Sequence, residues 1–267
     1  MSDKDNLPIK KEHSYLTKVS KQIAITNKLL ANTSDLRKWW DGLENIWKDI
    51  FLIHLEILST IKKEEFIGEV INHSIYKVYE DIFKKSFDGS KIVEQEQLRQ
   101  ITNLQILNCD ATEISSLEPL RKLTKLQKLR CYGNQISSLE PLRDLTELQE
   151  LWCEGNQISS LEPLKNLTKL QVLSCNGNQI SNLEPLRDLT ELKDLGCCDN
   201  QISNLEPLRD LTKLDYINCH SNQISSLEPL RDLTELKDLC CHSNQITSLE
   251  LKEFKKNHPE IFIRKEK

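Results

Sequence analysis

The chain has 267 residues, 38% hydrophobic and 29% charged, with 36 Lys+Arg against 41 Asp+Glu and a formal net charge of −5. This composition excludes a disordered or collagen-like chain, and the mild acidity argues against a dedicated nucleic-acid binder, which carries a basic excess. The opening MSDKDNLPIKKEHS lacks the apolar core of a secretory signal, and the longest apolar run, Ile50 to Leu58, is broken by His54 and Glu56, far short of a membrane span. With nine Cys and no export signal, the expectation is a protein of reduced thiols in a cytoplasm, with no membrane partner.

The first 98 residues read as helix. Leu36, Trp39, Trp40, Leu43, Ile46, Trp47, Ile50 and Phe51 fall at spacings of three and four, with Ser34 or Asp35 as N-cap. A second helical stretch is expected from about Glu64 to Phe87, and SFDGS at 86–90 reads as a break.

From residue 99 the chain repeats every 22 residues. Leu104, Leu126, Leu148, Leu170, Leu192, Leu214 and Leu236 keep this step, as do Cys109, Cys131, Cys153, Cys175, Cys197, Cys219 and Cys241. Asn134, Asn156, Asn178, Asn200, Asn222 and Asn244 keep it too, with Thr112 in the first copy. A unit such as LQELWCEGNQISSLEPLKNLTK carries the pattern L-x-x-L-x-L-x-x-N-x-L, with Cys in the third apolar slot. Its opening segment predicts a short strand stacked in parallel on its neighbours. The Asn turns the chain and can bond backbone groups of adjacent coils that would otherwise be buried unsatisfied. The Pro of the return segment, present from Pro119 to Pro229 in six copies, discourages an α-helix there. The predicted fold class is an α/β repeat solenoid: a leucine-rich horseshoe with a parallel concave sheet and a 3₁₀ or irregular convex side, behind an α-helical N-terminal cap. Three parts follow: 1–98, the helical region; 99–248, seven 22-residue units; and 249–267, a C-terminal cap. In the last, LKEFKKNHPEIFIRK predicts a short helix and an edge strand. Solenoid ends expose core leucines and need such covers.

Residues 101–248 resemble the short, 22-residue class of leucine-rich repeat shared by bacterial internalins and a eukaryotic phosphatase regulatory subunit. The NQISSLEPLRDLT units with their Cys resemble more the bacterial cytoplasmic proteins of this class. The segment WWDGLENIWKDIF, about 13 residues, also resembles a tryptophan-rich helix preceding the repeats in some of them. The resemblance implies a protein-binding module and not an enzyme; the host-receptor role of surface internalins is not carried over.

Comparison among the seven copies locates the variable surface. Return segments are near-copies, with recurrent Glu140, Glu162, Glu184, Glu206 and Glu228 and recurrent Arg143, Arg187, Arg209 and Arg231, the mark of a solvated convex face. The outward strand positions differ from copy to copy. The third runs Ile106, Lys128, Glu150, Val172, Asp194, Tyr216, Asp238; the fifth, Asn108, Arg130, Trp152, Ser174, Gly196, Asn218, Cys240; the seventh, Asp110, Tyr132, Glu154, Asn176, Cys198, His220, His242. Alternation along a strand places them opposite the core leucines, on the concave face. The candidate partner-binding residues are Lys128, Arg130, Tyr132, Glu150, Trp152, Glu154, Asp194, Tyr216, Asn218, His220, Asp238 and His242. Lys128 and Arg130 make a basic end, and Glu150, Glu154, Asp194, Asp199 and Asp238 make the rest acidic. Aromatics among charges are the composition of a protein-binding hot spot. Residues 1–103 carry 16 Lys+Arg and 16 Asp+Glu, so the net charge of −5 falls on the repeats and tail. The expected partner is therefore a protein or peptide with a basic surface, and nucleic acid would be repelled.

The seven periodic Cys should pack as a buried column. Cys198 and Cys240 are extra and are expected exposed. With His220 and His242 they form a zinc candidate, although parallel side chains about 4.8 Å apart have no built-in reason to converge. No cofactor is expected. The chain has no GxxxxGK[ST], HExxH or G-x-S-x-G, and His54 and His73 lack a nucleophile partner. The functional expectation is a non-enzymatic interaction scaffold or adaptor. The alternatives are a regulator acting through its helical N-terminal region, as a dimer through Trp39, Trp40 and Trp47, and a weak zinc-binding solenoid; otherwise the chain is a monomer.

Overall fold

The computed structural model describes residues 35–60 and 95–264. The helix expected over 64–87 and the break at 86–90 lie outside them. Helical structure at 35–41 is followed by α1 (Asn45–Thr60) and α2 (Gln95–Thr102). The run from Leu36 to Phe51, expected as one helix, is interrupted at 42–44. Gly42, a weak helix former, still bonds back to the Lys38 carbonyl, but Leu43 closes a tighter bond to Trp40. The interruption has a packing consequence. On a straight helix Trp39 and Phe51 would stand about 18 Å apart; here their ring centroids are 5.5 Å apart, and Trp47 meets the same Phe51 ring at a tilt, 5.6 Å away.

Eight strands follow in one open parallel sheet, in sequence order: β1 (Ile106–Asn108), β2 (Lys128–Arg130), β3 (Glu150–Trp152), β4 (Val172–Ser174), β5 (Asp194–Gly196), β6 (Tyr216–Asn218), β7 (Asp238–Cys240) and β8 (Phe262–Arg264). From β1 to β7 each residue pairs with the one 22 positions on, as in Leu129 with Leu151; β7 and β8 are offset by 24, Leu239 facing Ile263. The central residue of each of the first seven strands points into the core and its neighbours point out.

The return segments are 3₁₀ turns, the first Glu118–Lys122 and the others three residues long, from Glu140–Leu142 to Glu228–Leu230, each with Pro in its first turn. Pro lacks the N–H that an α-helix would need and starts the turn with its φ already set. The convex Glu and Arg pair three residues apart, as Glu206 with Arg209 at 2.6 Å.

The turn asparagines form the expected ladder. Asn156 accepts the N–H of Ile136 from the coil before it, and its Nδ2 donates to the carbonyls of Cys131, one coil back, and Cys153. Asn134, Asn178, Asn200, Asn222 and Asn244 repeat the pattern. In the first copy the hydroxyl of Thr112 donates to the Cys109 carbonyl. The asparagine amide thus serves backbone groups both of its own turn and across the coil boundary.

The core is one continuous stack. The periodic leucines, the turn isoleucines from Ile114 to Ile224 and the seven periodic Cys are buried, and Ile246 of the last coil packs against them half-buried. Trp40, Trp47, Ile50, Phe51, Leu98 and Ile101 join the same cluster and cover its first coil. Trp40 and Trp47 are thus spent on the chain's own core. At the far end α3 (Ser248–Asn257) starts at Thr247, whose hydroxyl accepts the Glu250 N–H, and buries Phe254; Ile261 and β8 complete that cover. No helix of the described residues is long and apolar enough to cross a membrane.

Candidate functional site

Because each strand is three residues long and exactly in phase with the next, the third, fifth and seventh positions of the repeat line up as three rows across the concave sheet. The rows divide by chemistry along the solenoid.

At the N-terminal end the expected basic patch is neutralised. Lys128 Nζ lies 2.7 Å from Glu150, and Arg130 lies 2.8 Å from Asp110. The Arg130 guanidinium also sits over the Trp152 ring, 5.5 Å from its centroid. Asp110 further accepts the Tyr132 N–H. Trp152 is half-buried in this arrangement, and Tyr132 is 52% exposed. Glu154, two residues beyond Trp152, has a buried Oε2 with no hydrogen-bond partner among the described residues.

In the middle, Gly196 leaves room for its neighbours: a Cβ there would stand 2.9 Å from Ser174 Oγ and 3.0 Å from Asn176 Nδ2. Asn176 donates to Ser174 and accepts the Cys198 N–H. Asp194 lies close to Asp215; burial, and then that neighbouring carboxyl, hold its pKa above the ordinary value.

At the C-terminal end Asp238 is engaged by Arg264, 2.6 Å away, and the Arg264 guanidinium covers the Tyr216 ring at 5.5 Å. Asn218 has a buried Oδ1 without a partner among the described residues. His220 and His242 stack, centroids 4.6 Å apart and planes 10° from parallel. Cys198 and Cys240, expected exposed, are buried, with 7% and 5% accessibility. Cys198 is covered by Asp199 and His220, and Cys240 lies in register between Asn218 and Arg264. Burial, reinforced by Asp199, pushes the Cys198 thiol up to about 12. The four-residue set of Cys198, His220, Cys240 and His242 does not assemble: donor atoms of Cys198, Asp199 and His220 lie within 4.8 Å of one another instead. Stacked imidazoles carry their in-plane lone pairs side by side, not toward a common point, which keeps His242 out of the group.

Three participants were not among the twelve candidates. Asp110 and Asp199 sit in the repeat and could have been found by asking which residue neighbours Arg130 or Cys198 one coil away. Arg264 could not, because β8 follows a 24-residue step.

The family model for leucine-rich repeats (2 copies) matches six overlapping windows, from 102–144 to 212–255. No curated protein sequence matches the chain. Among solved structures, the internalin inlF of Listeria monocytogenes is 31% identical at a TM-score of 0.60, covering 66% of this chain and 51% of its own, about half that protein's length. Internalin C2 of the same species is 30% identical at 0.55, over 67% of this chain and 86% of its own. The ectodomain of the Arabidopsis thaliana receptor kinase GASSHO1/SCHENGEN3, solved with CASPARIAN STRIP INTEGRITY FACTOR 2, shares the fold at 23% identity and a TM-score of 0.50, over 57% of this chain and 20% of its own. The in-phase coils, the asparagine ladder and these matches agree: the chain belongs to the leucine-rich repeat family, in its short-repeat, internalin-like class.

Proposed function

We propose that this chain is a non-enzymatic scaffold or adaptor that binds a protein or peptide with a basic surface along its concave sheet. Leucine-rich repeat solenoids serve in general as protein-interaction scaffolds, and their curved inner face is the binding surface. The observation that carries the reading is the buried, unpartnered Glu154 Oε2 beside the half-buried Trp152 and the exposed Tyr132. An acidic oxygen shielded from water and lacking a donor is a place where a partner's Lys or Arg gains a charge-assisted hydrogen bond, and aromatics next to it supply the apolar anchor. Since Lys128 and Arg130 are each paired to an acid, Glu154, Asp194 and Asp199 leave the open face acidic. A cytoplasmic setting belongs to the same proposal, supported by the nine free thiols, and a bacterial one, supported by the internalin-like repeats.

The test is the double substitution Trp152→Ala with Glu154→Lys, compared with the unaltered protein in affinity capture from native cell extract. The expected outcome is loss of the captured partner with an unchanged melting curve. Retained capture would move the binding surface off the concave face.

A further inference from the structure

We propose that Cys198, Asp199 and His220 form a site for a zinc-class divalent transition metal ion on the concave face, separate from the aromatic end of the sheet. Two adjacent coils bring them together. Cys198 is the seventh residue of its coil, Asp199 the eighth, and His220 the seventh residue of the next coil. The ladder draws the two coils together there, the Asp199 N–H donating to the His220 carbonyl at 3.1 Å. Their donor atoms lie within 4.8 Å of one another. Tetrahedral zinc, with bonds of about 2.0–2.3 Å, holds its donors roughly 3.5 Å apart, so closure asks for donor movements of about 1 Å. The donor set is one sulfur, one oxygen and one nitrogen, which suits zinc or cobalt better than calcium or magnesium. On binding, the Cys198 thiol gives its proton to water and the thiolate takes its place as ligand.

Two further features support a built arrangement. The eighth position of every coil has a left-handed backbone. It is Gly133, Gly155 and Gly177 in three coils, with φ of 61° to 66°, but Asp199 in the fifth, at φ 52°. Ala111, Ser221 and Ser243 share this conformation, so the fifth coil is set apart only by a carboxylate directly beside the extra cysteine. The imidazole of His220 is also held from two sides: Nδ1 lies 3.0 Å from the Ser221 hydroxyl, and the His242 ring stacks on its face. Such outer contacts fix a ligand's ring plane before the ion arrives. Three protein donors leave one tetrahedral position for water.

Titration of metal-free, reduced full-length protein with zinc, followed by calorimetry, should show saturable binding of one ion. Cobalt substitution should give a thiolate-to-cobalt charge-transfer band. Asp199→Gly restores the residue of three neighbouring coils, and His220→Asn copies Asn176, so both variants should keep the melting curve; each should weaken zinc binding about tenfold or more. Cys198→Ser should abolish the cobalt band, whereas Cys240→Ala should leave affinity and band unchanged. Absence of one-to-one binding, affinity unchanged in Asp199→Gly and His220→Asn, or dependence on Cys240 would overturn the assignment.

Discussion

Asn156 shows how one side chain holds two coils. It accepts from Ile136 and donates to Cys131, Cys153 and Glu154, all at 2.9–3.1 Å. Asn156→Ala removes these bonds and leaves a buried N–H and buried carbonyls unpaired, so unfolding free energy should fall by about 2–4 kcal/mol in urea denaturation. A loss no larger than that of an exposed convex substitution would show that water replaces the amide. Asp194 offers the opposite case, a residue that works against the fold. Burial, then Asp215, raise its pKa above the unfolded value. A carboxyl raised in this way favours the fold below its unfolded pKa and loses that contribution as pH rises through the folded value. Asp194→Asn should therefore raise the melting temperature at pH 7, and the gain should vanish once pH drops below the carboxylate range. A destabilisation at pH 7 would mean that Asp194 has a compensating cation. Keeping such a carboxylate on the concave face fits a surface completed by a basic partner.

The turn after each strand has one geometry and several chemistries. All seven coils place their eighth residue at positive φ, yet the residues are Ala111, Gly133, Gly155, Gly177, Asp199, Ser221 and Ser243. The stacked turns, not the residue, impose the left-handed conformation: in the first six coils the N–H of that residue reaches a carbonyl of the next coil, as Gly155 reaches Asn176. At Gly177 a Cβ would meet nothing closer than 3.7 Å, so only the backbone resists a side chain there. Gly177→Ala should cost about 1 kcal/mol by chemical denaturation, with the sheet intact. A much larger loss would point to a steric conflict instead. The 3₁₀ segments behave differently: their Pro and apolar spacing were readable directly, since a ring that lacks an N–H and fixes φ restricts the backbone wherever it is placed.

Across the whole molecule, stability depends on closing the stack at both ends. Phe51 is fully buried, with Trp39, Trp40 and Trp47 around its ring, and belongs to the same core as the first coil. Phe51→Ala should lower unfolding free energy by about 3–5 kcal/mol, measured as a shift of the guanidinium midpoint. A shift under about 1 kcal/mol would show that the helical segment folds apart from the repeats. This coupling makes Trp40 and Trp47 part of the core that closes the first coil.

The 22-residue period was enough to place the strands, the asparagine turns, the buried cysteine column and the outward rows, because each coil contacts mainly its neighbours and one unit's rule holds for all. Which outward residues remain available was not contained in that period. Arg130 is taken by Asp110 one coil back, Asp238 by Arg264 from an aperiodic strand, and Cys198 is covered by Asp199 and His220. Those pairings depend on distances between side chains of different coils and on rotamers chosen in a crowded concave face. A repeat pattern specifies which way a side chain leaves the backbone, and only the assembled neighbours settle what it meets.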